Sequence, residues 1–176
     1  FWFRDEFEED SRGRYASSTT SVVYYPDDTT ISLYGRNYIR PLPNDYLIGS
    51  WTLVYTPELL VDTSESAPLS LTINTAAEEA RHYREYTAPL AISITGGAVN
   101  LYRYGDVVAS NPGITFNKGD KKTFTISYDG DQTITVFDGV TTVTLTHESV
   151  ALLKTTPCKL HLGCYASSVA LGHYFR

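Results

Sequence analysis

Apolar and polar residues alternate most regularly between Lys122 and Thr146, where KTFTISY, TITVF and VTTVTLT are separated by DGDQ (129–132) and Asp138-Gly139. In the first run Phe124, Ile126 and Tyr128 alternate with Thr123, Thr125 and Ser127. Successive side chains of a strand point to opposite faces, so this spacing predicts one apolar face and one hydroxyl-bearing face. An Asp-Gly pair between β-branched runs predicts a two-residue type I′ hairpin, because both central residues must reach positive φ. The region reads as an antiparallel meander.

Similar runs recur along the chain. FWFRDEFEE (1–9) reads as an edge or terminal strand and SRGRYASSTTS (11–21) as a flexible polar segment. Strand signals follow in VVYY, TISLYG and RNYIRPL, with a turn expected at Pro26-Asp27-Asp28, and again in SWTLVYT and LSLTINT. Thr75-Ala76-Ala77-Glu78 matches a capping box, with Pro89 as a stop, so a short helix fits there; a strand beginning at His82 fits equally. LAISI, the turn at Thr95-Gly96-Gly97 and VNLYRYG predict a hairpin, followed by a loop over DVVASNPG and then ITF. KLHLGCYA and VALGHYFR close the chain. Roughly eleven or twelve strands with at most one short helix predict an all-β, antiparallel two-sheet sandwich. One domain is expected over 1–176, with 1–21 an N-terminal strand and polar segment and 22–176 the sandwich core.

Length and composition agree with that expectation: 176 residues, 42% hydrophobic and 13% aromatic, suffice for one complete core. A net charge of −6 argues against a nucleic-acid groove, which needs clustered cations to neutralise phosphates. No apolar run reaches the roughly 18 to 20 residues that span a bilayer, and the first ten residues are too acidic for a signal peptide. The chain starts at Phe1 and has no Met, which points to processing or excision from a longer polypeptide. Cys158 and Cys164 in a continuous strand have Cα atoms about 20 Å apart, beyond disulfide reach. They share a face with Leu160 and Leu162, so buried free thiols are expected, and a bridge would need a bend at Gly163.

The order of these stretches resembles a known family. DDTTISLYGRNYIRPLPNDYLIGSWTLVYTP is similar to the opening of laminin-G-like domains of the concanavalin A-like lectin/glucanase superfamily, and LAISITGGAVNLYRYGD to their central hairpin. KKTFTISYDGDQTITVFDGV resembles their most recognisable stretch, and LHLGCYASSVALGHYF their closing strands. The resemblance spans 29–176 and departs where those domains often carry Trp, here Lys122 or Thr123. It implies a jelly roll of two antiparallel sheets, often used to bind glycans or proteins. Calcium enters as a cofactor only through this resemblance; no acidic set matches the family's ligands, and none is assigned.

Catalytic patterns are weak. Retaining glycoside hydrolysis needs two carboxylates about 5 to 5.5 Å apart, and the cluster Asp5, Glu6, Glu8, Glu9 and Asp10 lacks the spacing of the glucanases. It reads as a charged edge. His82, His147, His161 and His173 show no metal-ligand spacing, and no nucleophile elbow occurs. His161, between Leu160 and Leu162, reads as a surface histidine. Fourteen tyrosines are more suggestive, because sugar sites pair aromatic faces with hydrogen-bonding side chains. Asn100, Tyr102 and Tyr104 alternate with Val99, Leu101 and Arg103, and Asp106 and Asn111 follow; these five are the candidate glycan site. The alternative reading is that the tyrosines cover core.

The expected function is a non-catalytic glycan-binding or adhesion module of a larger extracellular or virion protein, such as a phage fibre. Its partner would be a glycan or cell-surface receptor, with no nucleic acid and no membrane insertion. A structural module packing on its own copies or on a coat or tail neighbour, through Phe1, Phe3 and Phe7, is the alternative. A polysaccharide-degrading enzyme is least favoured.

Overall fold

The computed structural model describes residues 15–17, 23–27, 30–33, 38–41, 49–59, 69–75, 90–94, 97–117, 119–156, 158–163 and 173–175. Its strands are β1 (Tyr15–Ser17), β2 (Val23–Asp27), β3 (Thr30–Leu33), β4 (Tyr38–Pro41), β5 (Trp51–Tyr55), β6 (Pro57–Leu59), β7 (Leu69–Thr75), β8 (Leu90–Ile94), β9 (Val99–Arg103) and β10 (Asp106–Asn111). They continue with β11 (Phe124–Tyr128), β12 (Thr133–Phe137), β13 (Thr142–Thr146), β14 (Cys158–Gly163) and β15 (His173–Phe175). A 3₁₀ turn, Glu148–Ala151, runs into the short helix α1 (Leu152–Thr155). All ladders are antiparallel, in a seven-stranded sheet β1-β4-β14-β7-β8-β9-β10 and two four-stranded sheets, β13-β12-β11-β5 and β2-β3-β15-β6. Thr56 alone separates β5 from β6, so one stretch of chain joins the two smaller ladders. The expected β-sandwich is present, with its second layer divided in this way.

Apolar alternation builds the core. Leu90, Ile92 and Ile94 of β8 and Val99 and Leu101 of β9 meet Phe124, Ile126 and Tyr128 of β11, Ile134 and Val136 of β12, and Val143 and Leu145 of β13. Ile114 and Phe116, from the segment after β10, enter the same core, and Phe116 packs edge-on against Phe124 at 5.4 Å. Val150 and Leu153 close one end. His147 begins that closure: its Nδ1 accepts the Ser149 backbone N–H at 3.1 Å, satisfying a donor that the short helical segment leaves unpaired.

Several expectations are corrected. Asp106–Asn111 is a strand rather than a loop, and residues 114–116 form no strand, although Ile114 and Phe116 drop their side chains into the core. Tyr15–Ser17, expected in a flexible segment, pairs with β4, and Pro26-Asp27 lies within β2 rather than in a turn. The second meander turn is displaced by one residue: Asp138 N–H donates to the Thr141 carbonyl at 3.1 Å, leaving Gly139-Val140 as the central pair. Gly139 has φ +96° and Val140 is not in the left-handed region, which fits a type II′ turn and not type I′. Asp138 is instead the staple, its Oδ1 accepting from Val140 N at 3.0 Å and Thr141 N at 2.7 Å. Thr75, the expected helix cap, ends β7, while the strand expected over 1–9, the rest of the helix or strand expected before Pro89 (76–89), and Cys164 lie outside the described residues.

Lys122 ties this turn to the loop before β11, donating to the Thr115 carbonyl at 2.7 Å and to Asp138 Oδ2 at 3.2 Å. Burial raises the Asp138 pKa, but the bonds from Thr141 and Val140 and the Lys122 ammonium outweigh it, so the carboxyl titrates below its ordinary 3.8. A lowered folded pKa gives stability that is present above the unfolded value and lost as pH falls through the folded one. Urea denaturation is therefore expected to show Asp138→Asn less stable than wild type at pH 7, with the gap closing as pH drops below the carboxylate range.

Free sheet edges are also managed. β10 and β13 end their sheets side by side, and Asn111, whose Oδ1 accepts Gly113 N at 3.1 Å, directs Nδ2 to the Thr144 carbonyl at 3.5 Å. Such a bond occupies an otherwise open strand edge. The chain passes so close here that a Cβ on Gly113 would lie 2.8 Å from Val143 Cγ1, a buried β-branched side chain with no room to retreat. Gly113→Ala should cost about 1–3 kcal/mol in equilibrium unfolding. At Gly97, where nothing lies within 4 Å, the same change should stay within about 0.5 kcal/mol.

Candidate functional site

β8 and β9 place the candidate residues. All five residues of β8 are buried: Leu90, Ile92 and Ile94 face the core, while Ala91 and Ser93 lie on the other face. The register sets Tyr102 opposite Ala91 and Asn100 opposite Ser93, so Asn100 and Tyr102 share the outer face of the seven-stranded sheet. Tyr102 is only 6% exposed, and its hydroxyl accepts from Ser93 Oγ at 3.4 Å. Ala91 and Ser93 beside it are fully buried as well, so the outer face is covered here and opens only toward Asn100 and β10.

A bulge in β10 adds a partner that the spacing did not reveal. Val107 opposes Tyr102, the register then shifts between Val107 and Ala109, and Ser110 opposes Asn100. Val108 and Ala109 both pack on the core as a result, and Ser110 returns to the outer face, where Oγ donates to Asn100 Oδ1 at 2.7 Å. Simple alternation from Val107 would have put Ala109 there instead. The Ser110 bond orients the Asn100 amide.

Tyr104 sits differently from the strand position expected of it. It and Gly105 form the tip of the β9–β10 hairpin, with φ of +47° and +87°, and Arg103 opposes Asp106. Both central residues lie in the left-handed region, as a type I′ turn demands, but a bulky aromatic there is rare. Among the described residues Tyr104 is the one non-glycine with positive φ. Its side chain is 43% exposed, and the Arg103 guanidinium lies 4.3 Å from its ring centroid.

Of the five candidates, the structure brings Asn100 and Tyr102 onto one face and sets Tyr104 at its end, about 13 Å along the strand from Asn100. Asp106 and Asn111 have the parity of Arg103 and Val99, facing the core side at opposite ends of β10. Asp106 is exposed, and the Asn111 amide is occupied by Gly113 and Thr144. The register also sets Thr72 and His161 in line with Ala91 and Tyr102, and Ser70 in line with Ser93 and Asn100. Among the described residues no group of three or more His, Cys, Asp or Glu converges to hold a metal, and no helix is long and apolar enough to cross a membrane.

No protein-family model matches the chain, and no curated protein matches it. Solved structures do. The potassium-bound carbohydrate recognition domain of Emp46p superimposes with a TM-score of 0.68 at 11% identity, over 97% of this chain and 90% of that one. A seed lectin of Lotus tetragonolobus gives 0.70 at 8% identity, over 96% and 93%. The alginate lyase AlgAT5 of polysaccharide lyase family 7 gives 0.56 at 14% identity, over 89% and 80%. The fold is the concanavalin A-like lectin/glucanase sandwich, which the order of sequence stretches had suggested.

The left-handed conformation costs a residue with Cβ roughly 1–2 kcal/mol, more than the roughly 0.5–1 kcal/mol an exposed cation–π contact returns. Asparagine tolerates that region. Thermal or chemical unfolding of Tyr104→Asn should therefore show a gain of roughly 0.5–1 kcal/mol.

Proposed function

We propose that the protein is a non-catalytic glycan-binding module whose recognition surface is the outer face of the seven-stranded sheet, from Asn100 and Ser110 to the Tyr104 tip. The observation that carries this reading is Tyr104. Strained residues persist where the surroundings hold them, and they cluster at ligand-binding sites. Here the strain displays an aromatic ring whose orientation is fixed by Arg103. A flat ring beside an oriented amide and hydroxyl suits the C–H patches and hydroxyls of a sugar. The roughly 13 Å between Asn100 and Tyr104 favours an extended chain over a single ring.

Carbohydrate recognition is also what the Emp46p domain and the Lotus lectin are named for, and their fold is shared. In this reading the domain is the recognition part of a larger adhesive protein, displayed on a virion or outside a cell. The alginate lyase keeps catalysis as the rival.

A glycan array followed by calorimetry tests the reading. Tyr104→Asn should bind the selected glycan roughly three- to tenfold more weakly while unfolding no more easily than wild type. Unchanged affinity in that variant, or release of unsaturated or reducing ends from the bound glycan, would overturn it.

A further inference from the structure

The outer face of the β13-β12-β11-β5 sheet lies open to solvent. Its register sets Val54, Thr125, Phe137 and Thr142 side by side across the four strands, and Thr52, Ser127, Thr135 and Thr144 in the next row, about 7 Å along. Each of these positions is half-buried or exposed, in contrast to the buried Ala91, Ser93 and Tyr102 of the seven-stranded sheet. Phe137 is 39% exposed inside the first row, and Val54 is 65% exposed at its end.

Hydroxyls surround the Phe137 ring. Thr125 and Thr142 oppose it on either side, Thr135 lies two residues along β12, and Thr144 is a diagonal neighbour. Elsewhere on this sheet the hydroxyls pair, Thr52 with Ser127, Thr56 with Thr123 and Thr133 with Thr146, whereas those of the four threonines around Phe137 bond to nothing among the described residues. The two rows carry no charge, although the chain has 20 acidic and 14 basic residues. Four strands by five residues span roughly 19 Å by 17 Å, on the order of 300 Å². A stable protein interface takes about 800 Å² from each partner, so the face suits a narrow, uncharged ligand better than a second copy of the chain.

We propose that this face is a second carbohydrate site, and that its ligand is a neutral polysaccharide chain laid across the strands, one sugar ring on Phe137 and the sugar hydroxyls on Thr125, Thr135, Thr142 and Thr144. A threonine hydroxyl both donates and accepts, as a sugar hydroxyl does, and an exposed aromatic ring takes the apolar C–H patch of a pyranose. Strands about 4.8 Å apart match the length of one residue of an extended sugar chain, so successive sugars meet successive strands. Val54, two strands from Phe137 in the same row, offers a further apolar contact. No residue of the Tyr104 surface takes part, so the two sites can be tested separately.

The experiment is affinity electrophoresis of the full chain through gels holding a soluble β-linked glucan, a mannan or a polyuronate, with wild type, Phe137→Thr, Thr142→Val, Thr144→Val and Tyr104→Asn compared. Circular dichroism checks that each variant is folded. The valine variants keep the shape of threonine and lose no hydrogen bond among the described residues, so they decide the matter should Phe137→Thr fail to fold. The expected result is retardation by a neutral polymer that salt does not weaken and that persists in Tyr104→Asn, with affinity about three- to tenfold lower in Phe137→Thr and about two- to tenfold lower in each valine variant. Binding that Phe137→Thr and both valine variants leave unchanged overturns the second site, and if Tyr104→Asn removes it, the Tyr104 surface stands alone. Retardation by the polyuronate only overturns the neutral class. A dimer in light scattering that Phe137→Thr dissociates gives the face to a second copy and overturns the site, as does free passage of wild type through all three gels; the glycan array then still tests the Tyr104 surface by itself.

Discussion

Burial of β8 and β9 against the β11–β13 meander is the contact on which the rest of the molecule depends. Each inner residue removed from water contributes roughly 1.5–3 kcal/mol before chain entropy is counted, and the cluster joins strands from both sheets with the segment between them. Because strand side chains alternate, fixing Leu90, Ile92, Ile94, Val99 and Leu101 inward also fixes Ser93, Asn100 and Tyr102 outward. A slip of one residue would exchange the two sets. The outer face is thus specified by apolar packing on the other side of the same strands.

That dependence explains which parts of the fold were legible in the sequence. β11, β12 and β13 alternate cleanly, and the structure follows that alternation. Where several local solutions compete, the residues alone gave the wrong one. Asp138-Gly139 had the composition of a type I′ turn, but the Asp138 carboxylate found better use as an acceptor for two backbone N–H groups, and the turn moved on by one residue. Tyr104-Gly105 does form a turn with two positive φ values, and no turn signal precedes Gly105 because tyrosine is a poor left-handed residue. The hairpin is dictated by pairing on both sides, and Tyr104 takes what geometry remains.

The candidate site was legible to a similar degree. Asn100 and Tyr102 were placed together because alternation holds through β9. Ser110 was missed because a bulge cancels the parity of everything after it, and bulges carry no short-range signature when both neighbours are apolar. Asn111 was misjudged for the opposite reason: its polarity suggested a ligand partner, but the fold uses both ends of its amide to hold Gly113 and the β13 edge. Polar residues next to open edges commonly have this structural duty.

The two outer faces of the sandwich differ in character. On β5 and β11–β13 the outer residues are almost all Thr or Ser, and several hydroxyls pair with one another, as in Thr52–Ser127 at 3.3 Å, Thr56–Thr123 at 2.9 Å and Thr133–Thr146 at 3.0 Å. Cross-strand hydroxyl pairs of this kind support the sheet. The described strand positions of that face carry neither charge nor left-handed backbone, and Val54 and Phe137 are its exposed apolar members. The seven-stranded sheet has the reverse character. It bends Tyr104 into an unfavourable conformation at its edge and uses a bulge to return Ser110 to Asn100. The cost at Tyr104 exceeds what its contact with Arg103 returns, and this is the imbalance that the proposed glycan contact would offset.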